Sequence, residues 1–292
     1  MLEDTLAGAG LALITMLPLA WKWELGIRRI AVAVLVLAAV SGLAVSAAPD
    51  TGLTGFLPAA VMVWLLCLIA GVTILLYRFY RDPERQPPAR DDVVVSPADG
   101  EVVYVRRSAG GRVPVSSKHG RDHALDELTK TPLALQEAVV IGIALSFLDV
   151  HVNRAPIAGR VGSHRHYKGT FGSLKRPQNV LENERATTVI EGGGRQVAVV
   201  LIASRLVRRI VTFIREGDQV ACGQRIGAIR FGSQVDLVVP SRPELEVCVD
   251  VGDRLQAGES VVAFMPEPPD GQSSRADGDP AAAGLADSAT SP

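Results

Sequence analysis

The sequence offers little material for a disulfide framework or a metal site. Its 292 residues include only three cysteines, Cys67, Cys222 and Cys248, and none belongs to a C-x-x-C pair. Neither paired disulfides nor a zinc site is therefore predicted. The chain also lacks an excess of charge of either sign, since 30 Lys and Arg residues face 31 Asp and Glu residues. This balance gives no reason to expect a nucleic-acid partner.

Charge is absent from two long stretches near the N-terminus, residues 30–48 and 51–77. Each is long enough to cross a hydrocarbon core of about 30 Å as a helix, and the two are separated by a Pro-Asp turn, so a transmembrane hairpin is predicted. A third uncharged run, residues 5–20, is either a further span or an interfacial segment anchored by Trp21 and Trp23. No basic region precedes that run, so a cleaved signal peptide is not expected.

Basic residues flank the predicted hairpin at both outer ends. Because positive residues are retained on the cytoplasmic side of membranes, the remainder of the chain is expected in the cytoplasm, attached to the cell (inner) membrane. The flanking residues are Lys22, Arg28 and Arg29 before the hairpin and Arg78, Arg81 and Arg85 after it.

Beyond the anchor, residues 1–80, the chain consists of short runs rich in Val and Ile, each bounded by Gly, Pro or Asp. This pattern is typical of many short strands, so residues 81–265 are predicted to form a mainly β soluble domain with few helices. The last stretch, residues 266–292, has too few apolar residues to build a core and is expected to be a disordered tail.

An internal repeat refines the predicted fold. The segment EGDQVACGQRIG at 216–227 matches VGDRLQAGESVV at 251–262, and a P-x-x-G-x-V pattern occurs at 97–102 and again at 156–161. Both patterns resemble the interlocking hammerhead strands of lipoyl-type barrel sandwiches, in which glycines permit sharp strand reversals. The repeat predicts a barrel-sandwich architecture and carries no information on chemistry.

One dipeptide stands out in the stretch AIRFGSQVDLVVP, residues 228–240. Gly232 and Ser233 begin an alternating strand pattern, where neither residue favours a strand. A serine hydroxyl on taut backbone can attack the preceding carbonyl, and glycine leaves that carbon uncrowded. Subsequent β-elimination cuts the chain, and hydrolysis of the resulting dehydroalanine leaves a pyruvoyl group. The alternative is an ordinary turn or bulge.

Such chemistry needs a general base. His151 directly follows an apolar strand in LSFLDVHVNRAPIAG, and Asp99 lies in SPADG, so each is close to one of the two P-x-x-G corners. Those corners are expected to be neighbours in a barrel sandwich, which makes both residues candidates. His166 belongs to a glycine-rich stretch, whereas His123 lies in a polar stretch and is interpreted as solvated.

The motifs FYRDPER, SPADG, DVHVNRAPIAG, HYKGTF, ENER and FGS occur in this order between residues 79 and 265. Together they resemble the phosphatidylserine decarboxylase family, in particular its short membrane-anchored branch. The resemblance implies a proenzyme that cuts itself between Gly232 and Ser233. It also matches Asp99 to the aspartate of the family's P-x-D-G motif and His151 to the first histidine of its H-x-x-(H/R)-x-P segment. The chain departs from the longer branch of the family at Arg154, where a second histidine is the rule, and at Gln234, which replaces a threonine.

The resemblance further implies a covalent pyruvoyl cofactor derived from Ser233, which acts as the electron sink when CO2 leaves the serine head group. The substrate would be a phospholipid in the membrane, with a diacyl or an ether backbone, and the cleaved α and β chains would remain associated. The candidates for binding its phosphate or carboxylate are Arg154, His166, Lys168 and Arg185. The oligomeric state, including a homo-oligomer, is left open.

A non-enzymatic alternative is a membrane-anchored lipoyl-like adaptor domain of an export system. Such adaptors place a long coiled-coil hairpin between their two halves, and no sustained heptads occur between Val105 and Pro156. A biotin or lipoate carrier needs a lysine at the hairpin tip between its repeats, and residues 228–250 contain none. Both observations favour the enzyme.

Overall fold

The computed structural model describes the anchor, most of the β domain and the first residue of the predicted tail. The described residues are 2–23, 25–47, 58–108, 112–114, 122–124, 129, 137–174, 179, 182–204, 210–229 and 234–266. Gly232 and Ser233, the Pro-Asp turn of the predicted hairpin and residues 267–292 lie outside them.

Three helices occur among the described residues of the N-terminal part, and each is long and apolar enough to cross a membrane. They are α1 (Leu2–Lys22), α2 (Ile27–Ala47) and α3 (Ala59–Tyr80). The uncharged run at 5–20 is therefore helical throughout and continues past Pro18. The second predicted span begins later than expected, because Pro58 occupies the N-cap position of α3. These helices fit an association with the membrane.

Small residues allow the three helices to approach one another closely. A side chain added at Gly8 of α1 would meet Ala60 and Val63 of α3, and one added at Gly42 of α2 would meet Thr5 of α1. Transmembrane helices associate through such close backbone contacts, because lipid provides no hydrophobic driving force between them. The anchor is thus a packed bundle of three helices.

In the described part of the chain, sixteen short strands follow the helices. They are β1 (Val93–Val95), β2 (Gly100–Arg107), β3 (Arg112–Pro114), β4 (Asp122–Ala124), β5 (Ala138–Ala144), β6 (Val152–Arg154), β7 (Gly159–Tyr167), β8 (Arg185–Gly192), β9 (Arg195–Ile202), β10 (Ile210–Thr212), β11 (Gln219–Val220), β12 (Arg225–Ile229), β13 (Gln234–Pro240), β14 (Glu246–Val247), β15 (Arg254–Leu255) and β16 (Val261–Phe264).

Antiparallel pairing assembles these strands into one large sheet and three small ones. The large sheet has the order β11-β7-β8-β9-β13-β5-β2-β15, and the small ones are β1-β16-β14, β10-β12-β6 and β3-β4. The central strands of the large sheet are apolar on both faces. Ile141 and Leu237 belong to the main core, whereas Val140 and Val238 belong to a second cluster on the opposite face. Double burial explains why these strands read as continuous Val and Ile runs.

The internal repeat forms two equivalent turns, as the hammerhead pattern predicts. Gly217 and Gly252 have φ angles of 94° and 101°, a region that glycine adopts without strain. The amide of Gly217 donates to the Val161 carbonyl and that of Gly252 to the Val102 carbonyl, both at 2.8 Å. Each turn is therefore hydrogen-bonded to the strand that follows one P-x-x-G corner.

The two P-x-x-G corners interlock directly. The Arg154 amide donates to the Pro97 carbonyl, and the Val95 amide donates to the Pro156 carbonyl, both at 2.9 Å. The predicted proximity of the corners is confirmed, and with it the mainly β domain preceded by apolar helices.

Candidate active site

The ends of six strands meet along one edge of the large sheet. Because neighbouring strands are antiparallel, β2, β8 and β13 begin at this edge while β5, β7 and β9 end there. One row of paired residues crosses all six strands in the order Tyr167, Arg185, Ile202, Gln234, Ala144 and Glu101.

Several predicted site residues lie at this edge or are next to it along the chain. Ser233 immediately precedes Gln234, Asp99 is two residues before Glu101, and Lys168 follows Tyr167. His151 reaches the same region, since its carbonyl accepts a 3.0 Å hydrogen bond from the amide of Ile229 at the end of β12. Only residues 230–233 connect that amide to the start of β13.

His151 has the geometry of a general base. Its side chain is buried, and its Nδ1 lies 2.8 Å from the carbonyl oxygen of Asp149. A carbonyl can only accept, so Nδ1 carries the proton and Nε2 holds a lone pair. Nε2 is buried and has no hydrogen-bond partner among the described residues. Burial also lowers the pKa of His151, which keeps the imidazole neutral.

Aromatic rings connect this histidine to the three N-terminal helices. The ring of Phe79, near the end of α3, lies 4.3 Å from that of His151 between centroids and 5.4 Å from that of Phe147. Phe147 in turn stacks on Trp23, just after α1, at 5.1 Å. The candidate site therefore lies against the end of the anchor.

Asp99 is buried and does not contact His151 through a hydrogen bond. Its two carboxylate oxygens lie 3.1 and 2.9 Å from Nη2 of Arg85, and one of them accepts a 2.7 Å bond from the Ala257 amide. Burial raises the pKa of Asp99, while the Ala257 amide and the Arg85 charge oppose that rise. The carboxylate is thus held in place by fixed donors.

Arg154 is engaged by the protein itself. Its guanidinium donates to the carbonyls of Gly223 at 2.9 Å and Pro83 at 2.8 Å and pairs with Asp82 at 3.1 Å. Its side chain is 5% exposed. A role as substrate ligand stays a prediction, and these contacts favour a structural one.

The other three predicted ligands differ in exposure. Arg185 is 1% exposed, donates through Nε to the Asn183 carbonyl at 3.3 Å, and has its pKa lowered by burial. His166 pairs with Glu184 at 3.0 Å on the surface, and Lys168 is exposed. Of the four, His166 and Lys168 are therefore the two that solvent reaches.

The sequence did not indicate a buried polar cluster that Gln234 and Asp236 of β13 form with Tyr104 of β2. The side-chain nitrogen Nε2 of Gln234 donates to the Tyr104 hydroxyl at 2.8 Å and to Oδ1 of Asp236 at 2.7 Å. Asp236 is fully buried, and burial raises its pKa to about 6, opposed in part by the charge of Arg185. The signal available in the sequence was a lone aspartate within an otherwise apolar strand.

The buried carboxyl of Asp236 predicts that the stability of the folded chain depends on pH. The pKa of Asp236 is about 6 in the folded chain against 3.8 for a free carboxyl, so the folded state holds the proton more tightly. Its stabilising contribution is present below pH 3.8 and is lost as the pH rises through 6. Relative to wild type, Asp236→Asn should therefore gain stability between pH 4 and pH 7, on the order of 3 kcal/mol.

Thermal unfolding in detergent at several pH values checks this expectation. Both proteins should carry Ser233→Ala, so that uncut chains are compared, and Asp250→Asn supplies an exposed carboxylate as control. A Tm difference between Asp236→Asn and its parent that does not change with pH would contradict the assignment.

No group of three or more His, Cys, Asp or Glu residues suited to a metal ion occurs in the described part of the chain.

The family model that matches the chain is that of phosphatidylserine decarboxylase, over residues 72–263. The match begins within α3 and ends within β16.

Curated relatives agree with the family model. A phosphatidylserine decarboxylase proenzyme of Ruegeria pomeroyi is 40% identical over 196 residues, covering 67% of this chain and 81% of the relative. One from Pelobacter propionicus is 38% identical, covering 72% and 86%. An archaetidylserine decarboxylase proenzyme of Methanothermobacter thermautotrophicus, assigned as putative, is 39% identical, covering 67% and 83%. The chain belongs to the phosphatidylserine decarboxylase family and is an enzyme of that type.

Proposed function

We propose that this chain is a proenzyme that cuts itself between Gly232 and Ser233 and then removes CO2 from the serine head group of a phospholipid. The observation that carries the proposal is the buried Nε2 of His151, which has no hydrogen-bond partner among the described residues and lies near the sheet edge where β13 begins at Gln234. Buried polar atoms normally have a hydrogen-bond partner, and a nitrogen whose lone pair is left available at a candidate site favours a catalytic role.

Self-cleavage uses only the chain and one water. The Ser233 hydroxyl attacks the Gly232 carbonyl carbon, so that a C–O bond replaces the peptide C–N bond and the proton moves to nitrogen. A base, for which His151 is the candidate, then removes the α-proton of Ser233. Those electrons form a Cα=Cβ bond as the ester C–O bond breaks and Gly232 leaves as a carboxylate. Water replaces the nitrogen, ammonia departs, and a pyruvoyl group remains.

The structure around Gln234 fits a pyruvoyl group at its N-terminal side. Gln234 is paired with Ala144 on one side and Ile202 on the other, so the first residue after the group lies within the sheet. The pyruvoyl carbonyl supplies an electron sink for the departing CO2. His151, once protonated, would return a proton to the α-carbon of the head group.

The head group would enter from the membrane side of the sheet edge. Lys168 and His166 are solvent-accessible there and can face a phosphate or a carboxylate. Because the substrate stays in the bilayer, anchoring the enzyme raises the effective concentration of the head group. Arginines at both outer ends of the α2–α3 pair support an inner-membrane enzyme with its site on the cytoplasmic side.

The cleaved chains should remain together. Strand β13 would belong to the α chain, yet it pairs with β5 through seven residue pairs and with β9 through five, and both partners would belong to the β chain. We expect the two fragments to elute as one species from a sizing column in detergent and to separate only in denaturant. Elution of a free α fragment under native conditions would contradict this arrangement.

Release of CO2 tests the catalytic part. Detergent-solubilised enzyme should liberate labelled CO2 from phosphatidylserine carrying a labelled serine carboxyl, and should leave phosphatidylglycerol unchanged. An ether-linked serine lipid, assayed in parallel, distinguishes the two backbones. A cut chain that releases no CO2 from either serine lipid would refute decarboxylation while leaving self-cleavage intact.

A further inference from the structure

The segment that leaves α3 lies across the β domain. Residues 81–86, here called the strap, make polar contacts along their whole length. Arg81 donates to the Leu148 carbonyl at 3.2 Å, and the Gln86 amide donates to Glu259 at 3.0 Å. Asp82 pairs with both Arg154 and Arg225. The strap is therefore part of the β domain as well as its link to the membrane.

Arg85 is the most connected residue of the strap. Besides its two contacts with Asp99, it donates through Nη1 to Gln256 at 3.0 Å and to Glu259 at 2.8 Å. The side chains of Arg85 and Asp99 are only 10% and 9% exposed. An ion pair that is shielded from solvent, with one guanidinium nitrogen contacting both carboxylate oxygens, is stronger and more precisely oriented than a surface pair.

The contacts continue from Asp99 to the imidazole. Asp99 belongs to the corner at residues 97–100, and the Pro97 carbonyl of that corner accepts a 2.9 Å hydrogen bond from the amide of Arg154, three residues after His151. The Val150 amide also favours the ionised form of the Asp99 carboxylate. Val150 lies between Asp149, whose carbonyl orients Nδ1 at 2.8 Å, and His151 itself. The corner that contains Asp99 is therefore hydrogen-bonded to the strand that directly follows His151, and the Asp149 carbonyl orients the imidazole ring.

The charge balance at Asp99 depends on Arg85. The Ala257 and Val150 amides also favour the ionised carboxyl, whereas burial and the Asp149 charge favour the protonated one. Loss of Arg85 removes the counter-charge, so the pKa of Asp99 should rise further. A protonated carboxyl loses acceptor capacity, so the corner that contains Asp99 would be held less firmly by the donors around it.

From these contacts we infer that Arg85 is a positioning residue of the active site, which acts through Asp99 and the backbone of residues 149–151 to hold His151. This inference rests on the function proposed above, since it assigns Arg85 to the reaction of that same site. It also makes the exit from the membrane anchor a component of the catalytic centre.

Substitutions at Arg85 test the inference in the full-length protein. Arg85→Gln should lower kcat about 10- to 100-fold, because a misplaced proton donor loses that much rate. It should also move the acid limb of the pH profile, which the inference assigns to protonation of Asp99, to higher pH. Arg85→Lys keeps a charge and should restore the position of that limb. Arg90→Gln is the matched control, since it breaks a similar pair with Asp92 that is 58% exposed on the arginine side, and it should behave as wild type.

The outcomes separate this inference from the proposed function. If wild type is cut and active and Arg85→Gln matches it in rate and pH profile, the inference alone is refuted. Equal losses in Arg85→Gln and Arg85→Lys, with an unshifted acid limb, would show a merely structural role and also overturn it. A wild-type chain that stays uncut and inactive contradicts both.

Discussion

Ser233→Ala should leave the chain as one uncut polypeptide without decarboxylase activity. Alanine has no hydroxyl to attack the Gly232 carbonyl, so neither the ester nor the subsequent elimination can occur. Without that cut no pyruvoyl group forms, and the site has no electron sink for the departing CO2. Intact-mass measurement and a CO2-release assay on the same preparation report both losses, which should be complete.

A matched serine keeps this prediction specific. Ser241 directly follows the other end of β13, where its amide bonds to the Glu137 carbonyl at 2.9 Å. Ser241→Ala should be cut and active like wild type. If Ser233→Ala were cut at the same bond as wild type, the hydroxyl would have no part in processing and the proposed function would fail.

His151→Ala should lower decarboxylation by at least about 100-fold, the usual contribution of a positioned acid or base. Self-cleavage is measured separately on denaturing gels, so that a loss of processing is distinguished from a loss of decarboxylation. His123→Ala is the control, since His123 lies in β4 within the separate β3-β4 sheet. Full turnover by His151→Ala would remove His151 from the mechanism.

The acidity of His151 adds a pH test. Burial lowers its pKa from 6.5, so the imidazole stays neutral until the pH falls below that value. The rate of any step that uses Nε2 as a base should therefore decline on the acid side with a midpoint below 6.5. A midpoint above 6.5 would indicate a different group, because it requires a histidine stabilised in its charged form.

The features predicted from the sequence were those encoded by local patterns. Uncharged runs predicted α2 and α3, and paired glycine turns predicted the interlocked corners. For residues 5–20 the sequence left a span and an interfacial segment open. The chain is helical there, and Pro18 is accommodated within α1. Such features depend on neighbouring residues, which the sequence displays directly.

Contacts between side chains that are distant in the sequence could not be predicted from it. Nothing local indicates that Arg85 meets Asp99, because the pair depends on how the strap crosses the domain. Arg154 was predicted to bind substrate from its residue type and motif, yet Asp82, Pro83 and Gly223 occupy its guanidinium. A motif identifies a residue but does not show which of its donors are already satisfied.

The most direct test of the account is the intact mass of the purified wild-type protein. It predicts two fragments, residues 1–232 and 233–292, with the second lighter by one ammonia than a chain beginning with free serine and resistant to N-terminal sequencing. A single unbroken chain that nevertheless decarboxylates serine lipid, or a second fragment that begins with an unmodified serine, would contradict it.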